Sequence, residues 1–456
     1  MNPNKKFLWG AATSSYQIEG GNKHSDWWTW EKQGHVDRKQ VSGLATDHWN
    51  RFREDLRLAE DLKLNSYRFS IEWSRIEPRE GEWDKEAIEW YLDLIHECEK
   101  RKLLPMLTLH HFTFPQWVAE KGGLKNKEVS FYFERFVKKM VRYMGPHIPL
   151  WCTLNEPVVL AIGQYVGGIM PPKENNPKIL STVMRNLLKM HVAAYRVIHS
   201  QTERRKGTWR AHPLLVGVAH NMVDFEASRN WHPMERLLSK MFWKFYNQSW
   251  LDAVTGGVQD FGVMGITPSV KPVREALGKR TVDFIGINYY MKGELRWLPK
   301  GDHFERVAGI PFGISFAKPL DEKSEMGWAI HPEGLGRMLR FTKNYNLPIY
   351  ITENGIADAT DKLRGNYILK HLIEVAKAIK NGVDVRGYYY WSLLDNFEWI
   401  KGYDPRFGLL EVDYETFQRN LRPSSQIYRK IIEKHEINQS LPNELFLKQL
   451  LDKMLT

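Results

Sequence analysis

The sequence predicts an α/β fold: one closed (β/α)8 barrel with a functional site at the C-terminal ends of its strands. Three observations carry this. Eight short apolar, β-rich runs recur along the 456 residues. The segments between them space their apolar residues helically. Polar or ionisable side chains stand at the same end of run after run. Near-continuously apolar strands separated by helices belong to a parallel sheet covered on both faces, and eight such units close into a barrel. An open, doubly wound sheet is the alternative, weakened because no Gly-rich phosphate loop follows the first run.

The runs are FLWGAATSS from Phe7, NSYRFSIEW from Asn65, LLPMLTLHH from Leu103, LWCTLNEP from Leu150, LLVGVAHN from Leu214, VDFIGINYY from Val282, LPIYITENG from Leu347 and VRGYYYWSLLDN from Val385. Between the first two, residues 48–64 place Phe52, Leu56, Ala59 and Leu62 on one helical face. Residues 87–102 and 131–144 have the same amphipathic character. The barrel takes residues 1–437. Residues 438–456 are read as an extension whose segment ELFLKQLLDKML forms an amphipathic helix, docking Leu447, Leu450, Leu451 and Met454 on the barrel.

Composition narrows the function classes. The chain is 43% hydrophobic, enough for a large core. Its 18 Trp suit either a site that stacks flat ligands and sugar rings or a Trp-rich core. No run reaches the ~18 apolar residues of a membrane span, and the start, MNPNKKFLWG, lacks the apolar run of a secretory leader. With only Cys98 and Cys152, the chain reads as a reduced, cytoplasmic protein. The net charge of +11 is not gathered into one arm. Its densest basic run, residues 202–210, is read as a solvated loop rather than a surface for an anionic partner, so no nucleic acid is expected. Oligomeric state is left open.

The polar strand ends, Arg68, His111, Asn155 with Glu156, Asn288 with Tyr290, Glu353 with Asn354, and Trp391, converge on one rim in a barrel, where active sites sit. Metal chemistry is not expected: adjacent His110 and His111 face opposite sides of a strand, and no Cys/His cluster supports zinc. No serine elbow or phosphate loop is present, and no cofactor is implied. What remains is a pair of glutamates, Glu156 and Glu353, far apart in sequence and facing each other across the mouth. Paired carboxylates suit glycoside hydrolysis, one protonating the leaving oxygen while the other attacks C1 or activates water. Burial and a neighbouring negative charge keep one protonated, while Arg and hydroxyl donors, here Arg68 and Tyr290, keep the other ionised.

Taken in order, FLWGAATSSYQIEG, TLNEP at 153–157, ITENG at 351–355, WSLLDNFEW at 391–399 and GYDPRFGLLEVDYETFQR at 402–419 make the chain resemble glycoside hydrolase family 1, the β-glucosidase/β-galactosidase family, from about residue 7 to about residue 437. The resemblance implies a retaining β-glycosidase acting on small or oligosaccharide β-glycosides, with Glu156 as acid/base and Glu353 as nucleophile. It implies that Arg68 and Tyr290 position Glu353, and that Asn155 binds the sugar 2-hydroxyl. Gln17, His111, Glu398 and Trp399 would hold the remaining hydroxyls, with Asn288 grouped among them. Trp391 would be the platform under the ring, and Trp328 would line the aglycone side.

Glu398-Trp399, in place of the Ser and basic residues of the phospho-glycosidases, implies an unphosphorylated sugar. Glu156, in place of Gln, argues against a thioglucosidase. Gluco, galacto and fuco glycones stay undecided. Phe112 and Leu154 depart from the common Trp and Phe, and an altered aglycone fit is expected from them. Two readings from other classes stand beside this one: a non-catalytic sugar-binding protein, and a surface that binds anionic polymers.

Overall fold

The computed structural model describes residues 6–200, 209, 211–262, 268–298, 303–306, 312–438 and 444–455. Each of the eight runs contains a strand: β1 (Leu8–Ala12), β2 (Ser66–Ser70), β3 (Leu104–Thr108), β4 (Leu150–Asn155), β5 (Leu215–Ala227), β6 (Phe284–Trp297), β7 (Ile349–Asn354) and β8 (Val385–Trp391). Every neighbour pairs in parallel, and β8 returns to β1, so the sheet closes. Register brings the polar ends to one level: Ala12 lies beside both Arg68 and Trp391, and Asn288 beside Glu353.

Alternation along the strands sorts two apolar layers. Leu8, Leu104, Met106, Leu150, Cys152, Phe284, Tyr350 and Tyr389 fill the barrel. Trp9, Tyr67, Phe69, Trp151, Val216, Val218, Ile285, Ile287, Ile349 and Ile351 face outward. They meet helices such as α1 (His48–Asp61), α2 (Lys85–Lys100), α3 (Val129–Met144) and α4 (Arg364–Lys380). The interior is tight: a Cβ on Gly10 would stand 2.4 Å from the Tyr389 ring. The filled interior closes the barrel beneath its C-terminal rim.

Two strands run on past the rim. β5 and β6 stay paired to Ala227 and Leu295, and the short strand Phe312–Ser315 adds antiparallel to β6. Val223, Phe225, Leu295 and Phe312 bury one another there.

Helix α5 (Glu444–Leu455) lies against α4, with Leu447 buried and Leu450 and Leu451 half-buried. The Met454 side chain and, except for Trp209, the basic run 202–210 lie outside the described residues. Among the described residues no helix is long and apolar enough to cross a membrane. The Trp excess divides: Trp9, Trp27, Trp73, Trp151 and Trp250 are fully buried framework, while Trp391 and Trp399 flank His111.

Candidate active site

Glu353, on β7, is held by donors on both oxygens. Arg68, from β2, donates through Nη1 to Oε1 at 2.5 Å, and the Tyr290 hydroxyl, from β6, donates to Oε2 at 2.6 Å. Arg68 is wholly buried. Its other donors are committed to Thr108 Oγ1, the Thr352 carbonyl and Asn155 Oδ1, at 3.2, 3.1 and 2.7 Å, so the guanidinium cannot swing away. Burial opposes its charge, but Glu353, with Cys152 and Tyr290, outweighs burial and raises its pKa. Burial, then the Glu353 charge, holds the Tyr290 phenol well above its usual range, which keeps it a donor.

Glu156 lies at the turn from β4 into the helix Pro157–Tyr165, with φ +45°. The left-handed region is sparsely used by residues other than Gly and clusters at functional sites. Pro157 opens the helix, where its missing N–H costs no hydrogen bond. Asn288 and Asn221 both donate to Glu156 Oε1, at 2.8 and 3.0 Å. Burial first, and the Glu353 charge second, push the Glu156 carboxyl up to about 8, against the two amides and Arg68. Two carboxyls on one rim thus have opposite surroundings, one clamped by a cation and a phenol, the other desolvated beside a negative charge. That is the electrostatic requirement of an acid working beside a nucleophile.

Asn155 joins the two halves. Its Oδ1 accepts from Arg68 and, at 3.1 Å, from Asn288, which fixes the amide orientation. Its Nδ2 therefore donates to His111 Nε2, at 3.1 Å. Burial, then the Arg68 charge, keeps His111 neutral, so the ring proton sits on Nδ1, a buried atom with no protein partner. Gln17 Nε2 donates to Asn396 Oδ1, the Phe397 carbonyl and Glu398 Oε2, leaving its buried Oε1 without a partner. One unused donor and one unused acceptor on this wall suit sugar hydroxyls. The His111 ring lies nearly parallel to Trp391 and Trp399, with centroids 5.9 and 6.2 Å away, and Trp328 tilts against Tyr290 at 5.8 Å.

The glycosyl hydrolase family 1 model matches residues 2–437. The chain belongs to that family. It is 32% identical over 450 residues to beta-glucosidase A of Thermotoga maritima, covering 93% of this chain and 96% of that one. Among solved structures it is similar to a beta-glycosidase from Pyrococcus horikoshii (36% identity, TM-score 0.81, 93% of each chain). It is also similar to the Thermotoga maritima beta-glucosidase in complex with castanospermine (30% identity, TM-score 0.84, 94% of this chain and 97% of that one). This family 1 member is a glycoside hydrolase of the β-glycosidase type.

Of the twelve residues singled out in the sequence of this family 1 enzyme, ten are joined by one chain of hydrogen bonds and ring contacts at the rim, and Gln17 and Glu398 are bonded to each other beside Trp399. Three details differ from expectation. His110 and His111 lie beyond the end of β3 rather than on it; His110 turns into the aromatic layer against Phe114 and Phe133. Phe112 packs at 5.3 Å on Trp399, on the Glu398 side, rather than on Trp328. Leu154 is buried in the outer core. The sequence reading also passed over Asn221 and its partner Tyr246, whose hydroxyl donates to Asn221 Oδ1 at 2.7 Å. Asn221 ends the run LLVGVAHN, so the polar strand-end signal applies to it as well; Tyr246, inside an aromatic helical segment, carries no such mark.

Proposed function

We propose that this chain is a retaining β-glycosidase that removes terminal, unphosphorylated β-D-glycosyl residues by double displacement, with Glu353 as nucleophile and Glu156 as acid/base. The single observation that carries the reading is the contrast between Glu353, bonded to Arg68 and Tyr290, and Glu156, pushed up to about 8 by burial and by Glu353. Glu353 attacks C1 as the Glu156 proton passes to the departing glycosidic oxygen, leaving a glycosyl ester on Glu353. Esterification leaves the larger cause, burial, in place but removes the Glu353 charge, the second of the two that raised Glu156. The carboxyl then falls toward its ordinary range and takes a proton from the water that attacks C1, releasing Glu353.

His111 Nδ1–H, Gln17 Oε1 and Glu398 bind the glycone hydroxyls, Trp391 stacks under the ring, and Trp328 faces the aglycone. Burial, then the Glu353 charge, pushes Glu398 up to about 8, so as a neutral acid it both donates and accepts. Lys401 is turned to Asp37, which leaves a 6-phosphate an acid rather than a cation to meet. Both cysteines are free and buried, which fits a reducing compartment, and we place the enzyme in the cytoplasm.

Nitrophenol release from aryl β-glucoside, β-galactoside, β-fucoside and 6-phospho-β-glucoside, with proton NMR of the first anomer formed, tests this. Turnover of the unphosphorylated sugars, a β-anomer first, and near-silence of Glu353→Ala are expected. An α-anomer first, or an active Glu353→Ala enzyme, would overturn the assignment.

A further inference from the structure

Two clusters of histidines and carboxylates among the described residues bring three ligand atoms within 4.8 Å of one another: Asp224, Glu226 and His331, and His96, Glu99 and His147. The first already contains a cation. Arg337 Nη2 donates to Asp224 and Glu226 and lies 2.7 Å from His331 Nε2, occupying the place an ion would take.

The second is built differently. His96 and Glu99 are three residues apart on α2 and share a face; His147 stands in the segment that leads into β4. The neighbouring cations are turned away, Lys100 to Glu97 and Arg101 to Glu97 and Glu60. His147 Nδ1 and Glu99 Oε1 are 3.2 Å apart, close to the edge of about 3.3 Å that ligand bonds of 2.0–2.1 Å subtend in a tetrahedron. The two imidazole rings are nearly perpendicular, at 86°, with centroids 5.1 Å apart.

We infer that His96, Glu99 and His147 form a binding site for a zinc-class divalent transition metal on the N-terminal face of the barrel. Two neutral imidazoles and one carboxylate are the donor set such ions prefer over magnesium or calcium, and water completes the tetrahedron. The metal takes the place of the proton shared by His147 and Glu99, and the ring carries its proton on Nε2 instead. α2 returns from the rim, so its C-terminal turn lies at the opposite end of the barrel from Glu156, with the whole of β4 between. The ion ties α2 to the entrance of β4 and takes no part in the chemistry at the rim.

The test is calorimetric titration of ZnCl2 into the full-length, untagged protein near pH 7.5, for wild type, His96→Ala and His147→Ala, with thermal unfolding in parallel. His96 is exposed, so its variant keeps the fold. One equivalent in wild type, binding more than about 100-fold weaker in each variant, and a zinc-dependent rise in Tm confined to wild type are expected. Equal binding by wild type and both variants, or no equivalent taken up by wild type, would overturn the site. Aryl glycosidase activity of His96→Ala stays at the wild-type level if the site is remote from catalysis, as inferred; a fall in kcat would contradict its placement.

Discussion

Both amides that reach Glu156 end on the same oxygen. Asn221 and Asn288 donate to Oε1, so the proton of the neutral acid belongs on Oε2. The pair fixes which oxygen acts and also opposes the upward push on the carboxyl. Removing one amide in Asn221→Ala therefore raises the Glu156 pKa further. Because the proposed cleavage step uses the protonated form, the alkaline limb of kcat/KM moves to higher pH, and the rate on its plateau falls about 10–100-fold as the carboxyl loses its orientation. Full pH profiles on an aryl glycoside check this; a limb displaced toward lower pH would contradict it.

At this scale the sequence was most legible where chemistry marks a strand end, as at Glu156, Glu353, Arg68 and Tyr290. It was least legible where a residue acts through another. Tyr246 steadies Asn221 across 25 positions in sequence, a contact that only folding creates.

Among the elements, the long C-terminal motif separates into parts with different duties. Trp399 and Glu398 face the site, but its last residue is a fastener. Arg419, at the head of the strand Arg419–Leu421, donates through Nε to Asp55 Oδ1 at 2.7 Å on α1, and both side chains are fully buried. His48 holds the same carboxylate at 2.7 Å. Burial pushes the Asp55 carboxyl up, and His48 and Arg419 together outweigh it and hold it below its usual range. Truncation in Arg419→Ala leaves a buried charge short of a partner. We expect a loss of about 3–5 kcal/mol in urea denaturation, with kcat at a permissive temperature retained. Asp55→Asn in the same chain recovers part of the stability, whereas a loss confined to kcat would make Arg419 a residue of the site.

Gly355 has a comparable structural reason within ITENG: a Cβ there would stand 1.7 Å from the Trp391 carbonyl oxygen, where β7 ends against β8. The eight strands and their order were legible because period and turn chemistry are local. The prolongation of β5 and β6 was not, because the apolar partners that bury Phe225, namely Leu295 and Phe312, come from distant segments.

Across the whole molecule, the buried acids and histidines determine how stability varies with pH. Burial pushes Glu19 and Asp26 to about 7, and Glu156 and Glu398 to about 8. In each case the folded state holds a proton that the unfolded chain, with an ordinary carboxyl near 4, releases. Their contribution is therefore fully present below about pH 4 and is lost as pH rises through 7 to 8. Asp55, Asp224 and Asp283 have the opposite sign. Burial pushes them up, but His48 with Arg419, His331 with Arg337, and His199 with the Val216 amide and Tyr195, outweigh it. The stability they supply is lost as pH falls below about 4. Burial also holds His110 and His371 down to about 3 and His191 and His220 down to about 4, so the stability they supply is lost as pH falls below about 6.5, and all these groups together place maximal stability between about pH 6 and 7.

Thermal unfolding followed from pH 4 to 9 should show Tm falling by about 3–10 °C between pH 6 and 8.5. Asp26→Asn and Glu398→Gln should each flatten that fall, since an amide has no proton to lose. The side chain introduced by Asp26→Asn keeps an oxygen for the Trp27 and Phe114 amides that now reach Asp26 Oδ1 at 2.8 and 2.9 Å, so that variant retains the fold. A Tm that rises from pH 6 to 8.5 would mean that these four carboxyls are already ionised in the folded protein. The neutral Glu156 that the proposed acid step requires would then be absent as well. The stability profile and the alkaline limb of activity are thus two readings of one electrostatic arrangement at the rim, and they have to move together.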